Sequence, residues 1–211
     1  MLNVAMQLRP GCRQLEAGVP NYFGEQRFGR NGSNLDAAEA MFGGKRIKDR
    51  DKRSIFLSAA RSYLFNEVIS ARIQAGLASQ LLAGDCLMLA GSHSFFSEAE
   101  ITPELQQRLA SGDLQLTAPL WGRGRETAQG AALEFEQQAL AAFDNWRQGL
   151  EAAGLQQERR PLLLIPRHWR WDWTSDGLVL NFWLPAGCYA TSLLRELLIM
   201  DTMESNEDTG Q

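Results

Sequence analysis

Three segments of the chain carry side chains suited to holding a nucleotide. The first, residues 18–34, mixes glycines and aromatic rings around Arg27. Glycines let a backbone approach a ligand closely, rings stack on bases, and a guanidinium can grip a phosphate. The alternative is a glycine-rich connection that its aromatic side chains pack onto the core. The residues concerned are Tyr22, Phe23, Gly24, Arg27, Phe28, Gly29 and Gly32.

The second segment is IKDRDKRS, residues 47–54. Cations at a helix entrance can contact phosphates, and the free N–H groups of the helix start add to that attraction. The alternative is a solvated loop whose charge Asp49 and Asp51 partly neutralise. The cations predicted to contact phosphate are Lys48, Arg50, Lys52 and Arg53.

The third segment is FWLPAGCYATSLLREL, residues 182–197. The pattern predicts a strand, a Pro-Gly turn and then a helix, which would place Tyr189 and the helix N-terminus at the end of a sheet. A ring in that position can stack on a flipped-out base. The alternative is that Tyr189 is an ordinary packing residue at a helix start.

The charge of the chain is unevenly distributed. A net charge of -4 by itself argues against binding nucleic acid, because an acidic surface repels phosphates. Between residues 45 and 61, however, seven cations face two aspartates, so this stretch carries +5 and the remainder -9. Such a separation of sign creates a local field that can attract a polyanion.

Patterns of other chemistries are missing from the sequence. No G-x-S-x-G, Walker loop or H-E-x-x-H occurs, and Ser92-His93-Ser94 cannot form a triad because adjacent loop residues do not place an orienting carboxylate. Two histidines and three dispersed cysteines argue against a metal site and predict reduced thiols. No apolar run approaches the ~20 residues that span a bilayer, and the N-terminus does not read as a secretory signal. We therefore expect a cytoplasmic protein without a membrane span or metal.

The elements that would position these segments alternate between helix and strand. Apolar periodicity predicts helices at 35–42, 54–75 and 104–110, a long helix ending before Gly154, and a last helix from Tyr189 to about Met200. The sequence also predicts strands. They are a strand pair within 86–98, single strands at 114–117 and 161–166, and a hairpin over 167–184. The sequence thus predicts an α/β (α+β) fold.

Three long motifs together resemble the TruD family of tRNA pseudouridine synthases. They are GVPNYFGEQRFGRNGSNL, RDKRSIFLSAARSYLFN and FWLPAGCYATSLLRE, in that order and at similar intervals. The resemblance runs from about residue 18 to residue 197. It implies a pseudouridine-synthase-like mixed sheet, incomplete in this chain, with a TruD-specific α/β insertion domain.

The resemblance also implies domain boundaries. Residues 1–17 would end the N-terminal segment of the catalytic domain, 18–164 would form the insertion domain, and 165–201 would return to the catalytic domain. Residues 202–211 are expected to be a disordered tail, because they are acidic and polar.

The function implied by the resemblance is isomerisation of uridine to pseudouridine in tRNA, at position thirteen, without metal, nucleotide or other cofactor. The family's nucleophilic aspartate lies in a Gly-x-Lys-Asp segment upstream of every motif found here, and Lys48-Asp49 does not match it. Tyr189 matches the aromatic residue of LPAG-x-[FY]-AT, which contacts substrate in the family; many bacterial members have Phe there. Asn21, Gln26 and Arg27 match NYFG-x-QRFG, and the resemblance predicts that they make RNA or cleft contacts.

We therefore expect a tRNA-binding chain that is inactive by itself and belongs to a protein that is monomeric at full length. Two alternatives remain open. One is a non-catalytic RNA-binding module, and the other is an acidic interaction protein whose basic segment is incidental.

Overall fold

The structure is a computed structural model that describes residues 4–8, 18–175 and 177–202. The chain divides into two compact units. The central unit is Pro20–Leu163, and the terminal unit combines Met1–Val19 with Leu164–Gln211. No described helix combines the length and apolar character needed to cross a bilayer.

Helices and strands alternate along the described residues. The strands are β1 (Val4–Leu8), β2 (Val19–Pro20), β3 (Cys86–Leu89), β4 (Phe95–Ser97), β5 (Leu114–Leu120), β6 (Glu158–Pro161), β7 (Leu163–Leu164), β8 (Arg167–Thr174), β9 (Gly177–Trp183) and β10 (Leu198–Thr202). The helices are α1 (Ser33–Phe42), α2 (Arg50–Gln74), α3 (Pro103–Ala110), α4 (Gly130–Ala139), α5 (Asp144–Ala152) and α6 (Ala190–Leu197). Short 3-10 turns cover Glu25–Phe28, Arg30–Gly32 and Ala141–Phe143. The predicted α+β class is confirmed.

A four-stranded sheet forms the framework of the central unit. Its strand order is β4-β3-β5-β6, and the neighbouring strands are antiparallel. Both central strands are largely buried, including Leu87 opposite Leu116. They are covered because helices of the unit, α2 among them, pack against β5. The predicted strand pair within residues 86–98 is confirmed as β3 and β4.

Helix α2 is the longest element of the central unit. It begins at Arg50 because the Asp49 side chain accepts hydrogen bonds from the N–H groups of Asp51 and Lys52, at 3.0 and 3.1 Å. The buried face recurs at helical spacing through Leu57, Leu64, Phe65, Val68 and Ile69. Our predicted start at Ser54 was wrong, because it overlooked this cap. Part of the predicted basic loop is therefore the first turn of α2.

The predicted long helix before Gly154 was also wrong. The chain forms α4, a 3-10 turn and α5 in its place. The interruption lets Glu136 on α4 reach Arg159 while Trp146 on α5 packs its ring against Tyr63. These partners come from different segments, so the periodicity of residues 135–150 could not reveal the break.

The terminal unit contains the predicted hairpin, formed by β8 and β9. Trp169 stacks on Phe182 with the ring centroids 5.6 Å apart. This pair packs against a small core of Val19, Leu164, Leu193 and Leu197. Alternation along β8 places Trp171 and Trp173 on the same face as Trp169, but they remain exposed.

The last predicted helix ends earlier than expected. Helix α6 stops at Leu197, and the chain continues as β10, which pairs with β1 from Leu198 opposite Leu8 to Thr202 opposite Val4. The apolar residues after α6 suit either a helix or a strand, and the pairing partner is distant in sequence. Thr202, the first residue of the predicted tail, lies in this strand, and residues 203–211 are outside the described residues.

Candidate RNA-binding surfaces

Three of the four cations predicted to contact phosphate lie in the first turn of α2, and Lys48 lies just before its N-cap Asp49. We call Lys48, Arg50, Lys52 and Arg53 the α2 basic cluster. All four are exposed, and within the described residues none forms an ion pair. The cluster therefore presents positive charge that the neighbouring Asp49 and Asp51 offset only in part.

The position of the cluster is unfavourable for the helix itself. A helix N-terminus carries the positive end of the helix dipole, so cations there reduce stability by about 0.3–1 kcal/mol each at low salt. The Asp49 side chain caps that end of α2, and Asp51 is the acidic residue of its first turn. These cations do not stabilise their own helix and form no ion pair within the described residues. They are therefore available to bind the phosphates of an external polyanion.

Asn21 is a structural residue. It is only 3% exposed. Its Nδ2 donates to the carbonyl of Pro161 at 2.9 Å, and its Oδ1 accepts from Nη2 of Arg160 at 2.7 Å. The amide of Asn21 is therefore committed within the protein, and contact of Asn21 with RNA stays a prediction.

The aromatic rings of the segment 18–34 also face the protein. Phe23 is buried and meets Phe65 edge-on, with centroids 5.5 Å apart, while Cζ of Arg160 lies 4.2 Å from the Phe23 centroid. Phe28 makes an edge contact with Tyr63 at 6.1 Å. The packing alternative thus fits both rings: Phe23 lies in the core, and the half-buried Phe28 packs on Tyr63.

Arg27 lies at the border between the interior and the surface. It is half-buried, and its Nη1 donates to Oγ of Ser58 on α2 at 3.0 Å. Its Cζ is 5.6 Å from the centroid of Phe23. Arg27 is thus held against the same helix that begins with the α2 basic cluster. Gln26 is exposed beside it, and RNA contact by these two residues stays a prediction.

Tyr189 stands at the entrance of α6 in the terminal unit. Its carbonyl accepts hydrogen bonds from the N–H groups of Ser192 and Leu193, at 3.1 and 3.3 Å. The predicted turn before it is present, since the N–H of Cys188 donates to the carbonyl of Pro185. Its ring is half-buried, and the role of this ring in holding a base stays a prediction.

Two buried ion pairs in the central unit were missed by sequence reasoning. Both terminal nitrogens of Arg159 donate hydrogen bonds to the carboxylate of Glu136, at 2.6 and 3.0 Å. Arg159 also donates to Thr117. Arg72 pairs with Asp85, and both side chains are almost fully enclosed. No local pattern marks these arginines, because their partners come from other elements.

Burial and charge set the protonation of this interior. Burial alone would lower the pKa of Arg159, but the adjoining Glu136 carboxylate raises this pKa above its ordinary value. Burial raises the pKa of the Cys86 thiol, which favours the uncharged form. Among the described residues, no group of three or more His, Cys, Asp and Glu side chains is arranged to hold a metal.

Comparison with known families identifies the relationship. The family described as tRNA pseudouridine synthase D (TruD) matches residues 39–197. This chain belongs to the TruD family. The match covers the α2 basic cluster, the central sheet and Tyr189 together, so both units of the chain contribute to it.

Two bacterial relatives of this TruD-family chain show how much of the family it represents. A tRNA pseudouridine synthase D from Aeromonas hydrophila is 62% identical over 202 residues, covering 93% of this chain and 57% of the relative. One from Aeromonas salmonicida is 67% identical over 181 residues, covering 86% of this chain and 51% of the relative. The chain therefore spans about half the length of these relatives.

A solved structure shares the fold. A crystal structure described as tRNA pseudouridine synthase D (TruD) from Methanosarcina mazei matches with a TM-score of 0.64 and 20% identity. The match covers 87% of this chain and 61% of that one. This likeness confirms the predicted pseudouridine-synthase type of fold.

Proposed function

We propose that this chain supplies the tRNA-binding part of a synthase that isomerises uridine to pseudouridine, at position thirteen of tRNA. The observation that carries the proposal is the α2 basic cluster, because its exposed cations have no ion-pair partner within the described residues. Relatives named tRNA pseudouridine synthase D support the choice of tRNA as the polyanion. The family assignment supports the reaction.

We assign separate roles to the two units. The α2 basic cluster, with Gln26 and Arg27, contacts the phosphates that position the tRNA. Tyr189 stacks on the target base once it has left the helix. By their sequence boundaries, residues 18–164 form the insertion domain and 165–201 belong to the catalytic domain. We further propose cytoplasmic action, a monomeric full-length protein and no cofactor.

We propose that the nucleophilic aspartate comes from an upstream segment of the synthase that is not part of this chain. Asp49 is occupied as the N-cap of α2, and Asp85 is held in a buried ion pair. Asp113 and Asp144 pair with two partly buried arginines, Arg108 and Arg147. Because these four aspartates are engaged and no Gly-x-Lys-Asp segment occurs in the sequence, we propose that the chain by itself binds tRNA without converting it. A non-catalytic RNA-binding module is the second candidate, because the same engaged aspartates favour it.

A chimera tests the proposal. The region of the Aeromonas hydrophila relative that aligns with this chain is replaced by this chain, and unmodified tRNA is then assayed for pseudouridine by carbodiimide labelling and primer extension. We expect the chimera to modify position thirteen and the isolated chain to bind tRNA without modifying it. Tyr189→Ala in the chimera should lower conversion at least tenfold.

The outcomes separate the alternatives. An inactive chimera that still binds tRNA would support the non-catalytic module, and conversion by the isolated chain would contradict its proposed inactivity. If the isolated chain binds tRNA no more tightly than heparin, an unrelated polyanion, the basic cluster is incidental and the proposal fails.

A further inference from the structure

We propose that Arg123 and Arg125 form a second surface that contacts phosphates of the RNA. They lie in residues 122–125, which we call the arginine loop, between β5 and α4. The proposal rests on the proposed function, since it takes RNA as the ligand. It adds a separate region of the central unit to the α2 basic cluster.

The backbone of the arginine loop is held in place from several sides. The N–H of Gly122 donates to Oε1 of Gln157 at 2.9 Å. The N–H of Arg123 donates to the carbonyl of Leu155 at 2.5 Å, and its carbonyl accepts from the N–H of Gln157 at 2.7 Å. A loop tied in this way presents its side chains from a fixed position, which lowers the entropy lost on binding.

The glycines of the loop are required by this arrangement. A Cβ on Gly122 would lie 2.5 Å from the backbone carbonyl carbon of Gln156, so a larger residue would displace the neighbouring segment. Gly124 has a φ of +129°, which strongly favours glycine. The GRGR pattern is therefore a tight loop with two arginines projecting from a constrained backbone.

The two guanidinium groups are exposed and uncompensated. Within the part of the chain that the structure describes, neither forms an ion pair. Carboxylates on nearby segments have other partners: Glu126 accepts from Gln137, Glu151 accepts from Trp121, and Glu158 pairs with Arg61 at 3.4 Å. An arginine with no internal partner can donate two parallel hydrogen bonds from its forked guanidinium to a phosphate.

Arg61 connects the arginine loop to α2. Its Nη2 donates to the carbonyl of Leu120 at 2.9 Å and to that of Gln156, on the two segments that flank the loop. Arg50 and Arg61 are about three helical turns apart, so they lie on the same side of α2 and about 16 Å apart along its axis. The loop therefore adjoins the side of α2 that carries Arg50. A structured RNA presents backbone phosphates over such a distance.

The test is tRNA binding by the full 211-residue chain across a series of salt concentrations. R123A/R125A should weaken binding roughly 5- to 30-fold at low salt and reduce the slope of log affinity against log salt by about 1.5. R123K/R125K, which keeps the charge, should recover most of the slope. The matched control is R108A, which removes a partly exposed arginine already paired with Asp113 at 2.6 Å.

A second measurement uses the unaltered chain. Phenylglyoxal modifies exposed arginines, and bound tRNA should slow modification of Arg123 and Arg125 at least fivefold while leaving Arg108 unchanged. The proposal is overturned if R123A/R125A binds like R108A, or if tRNA gives the two arginines no protection. If the unaltered chain binds no tRNA, the proposed function fails first and the proposal falls with it.

Discussion

The two ends of α2 hold arginines in opposite surroundings. At its start, Arg50 and Arg53 are exposed and form no ion pair within the described residues. In its last turn, Arg72 is buried and paired with Asp85. The same side-chain type is thus buried in an ion pair at one end of the helix and exposed to solvent at the other.

The difference shows how to distinguish structural from functional cations. A buried charge survives only with a partner, because leaving it unpaired costs several kcal/mol of desolvation energy. An exposed cation has no such requirement and adds little to stability by itself. Cations gathered at the positive end of a helix even oppose its dipole, so a binding role accounts for them better than folding does.

Removal of a buried partner should produce the largest effect. Glu136→Leu leaves Arg159 enclosed without its carboxylate, and we expect the free energy of unfolding to fall by roughly 3–5 kcal/mol in urea titrations. The double variant E136L/R159M should recover most of that loss, because an apolar pair removes the unpaired charge. A loss below about 1 kcal/mol for E136L would show that this pair does not matter for stability.

Neutralising the exposed cations should affect binding and leave folding intact. We expect K48A/R50A/K52A/R53A to weaken tRNA binding roughly 10- to 100-fold at low salt and to lower the salt slope by about 3. The urea midpoint should stay the same or rise slightly, because repulsion at the helix start is relieved. The charge-preserving swap K48R/R50K/K52R/R53K is the control and should bind within about threefold of the parent. An unfolding loss comparable to that of E136L would contradict a purely external role.

Substitution of the α2 cap should lower stability without weakening tRNA binding, which is the opposite of the effect expected for the basic cluster. Asp49→Ala removes the acceptor for two N–H groups and should cost about 1 kcal/mol of stability in urea titrations. Its tRNA affinity should not fall, since an anion is lost near the cluster. Asp51→Ala is the matched control because its side chain does not cap the helix, and it should cost less. Equal losses for the two variants would rule out the capping role.

The smallest effect is expected at Arg27, whose surroundings lie between the two extremes. Ser58→Ala removes the acceptor of its guanidinium and should cost roughly 0.5–1.5 kcal/mol of stability. It should also weaken tRNA binding a few-fold, because the guanidinium of Arg27 is no longer held in one orientation. Ser54→Ala, an exposed change on the same helix, is the control for both measurements. If the two variants bind alike, Arg27 does not depend on Ser58 for its position.

Local patterns predicted much of the fold but not its junctions. The strand pair within 86–98 and the hairpin over 167–184 were predictable, because short-range alternation and turn residues define them. The start of α2 and the end of α6 were not. One depends on a cap that the apolar periodicity overlooks, and the other on the pairing of β10 with β1.

For the candidate site, the sequence indicated which residues carry charge but not how they are used. Asn21 and Arg27 lie in one motif, yet the first is enclosed and the second reaches the surface. The distinction arises because Arg160, which is 139 residues away in the chain, packs against Asn21. The arginine loop shows the same dependence on its neighbours, since its shape relies on Leu155 and Gln157.

By itself, the sequence determined where the cations, glycines and apolar periods lie, because these follow from residue type and short-range spacing. Only the tertiary structure decided which arginines are neutralised and which remain available to a ligand. Arg159 and Arg72 find carboxylates on other elements, while the α2 basic cluster and the arginine loop find none among the described residues. Pairing inside a protein depends on distance in space, and the fold sets that distance.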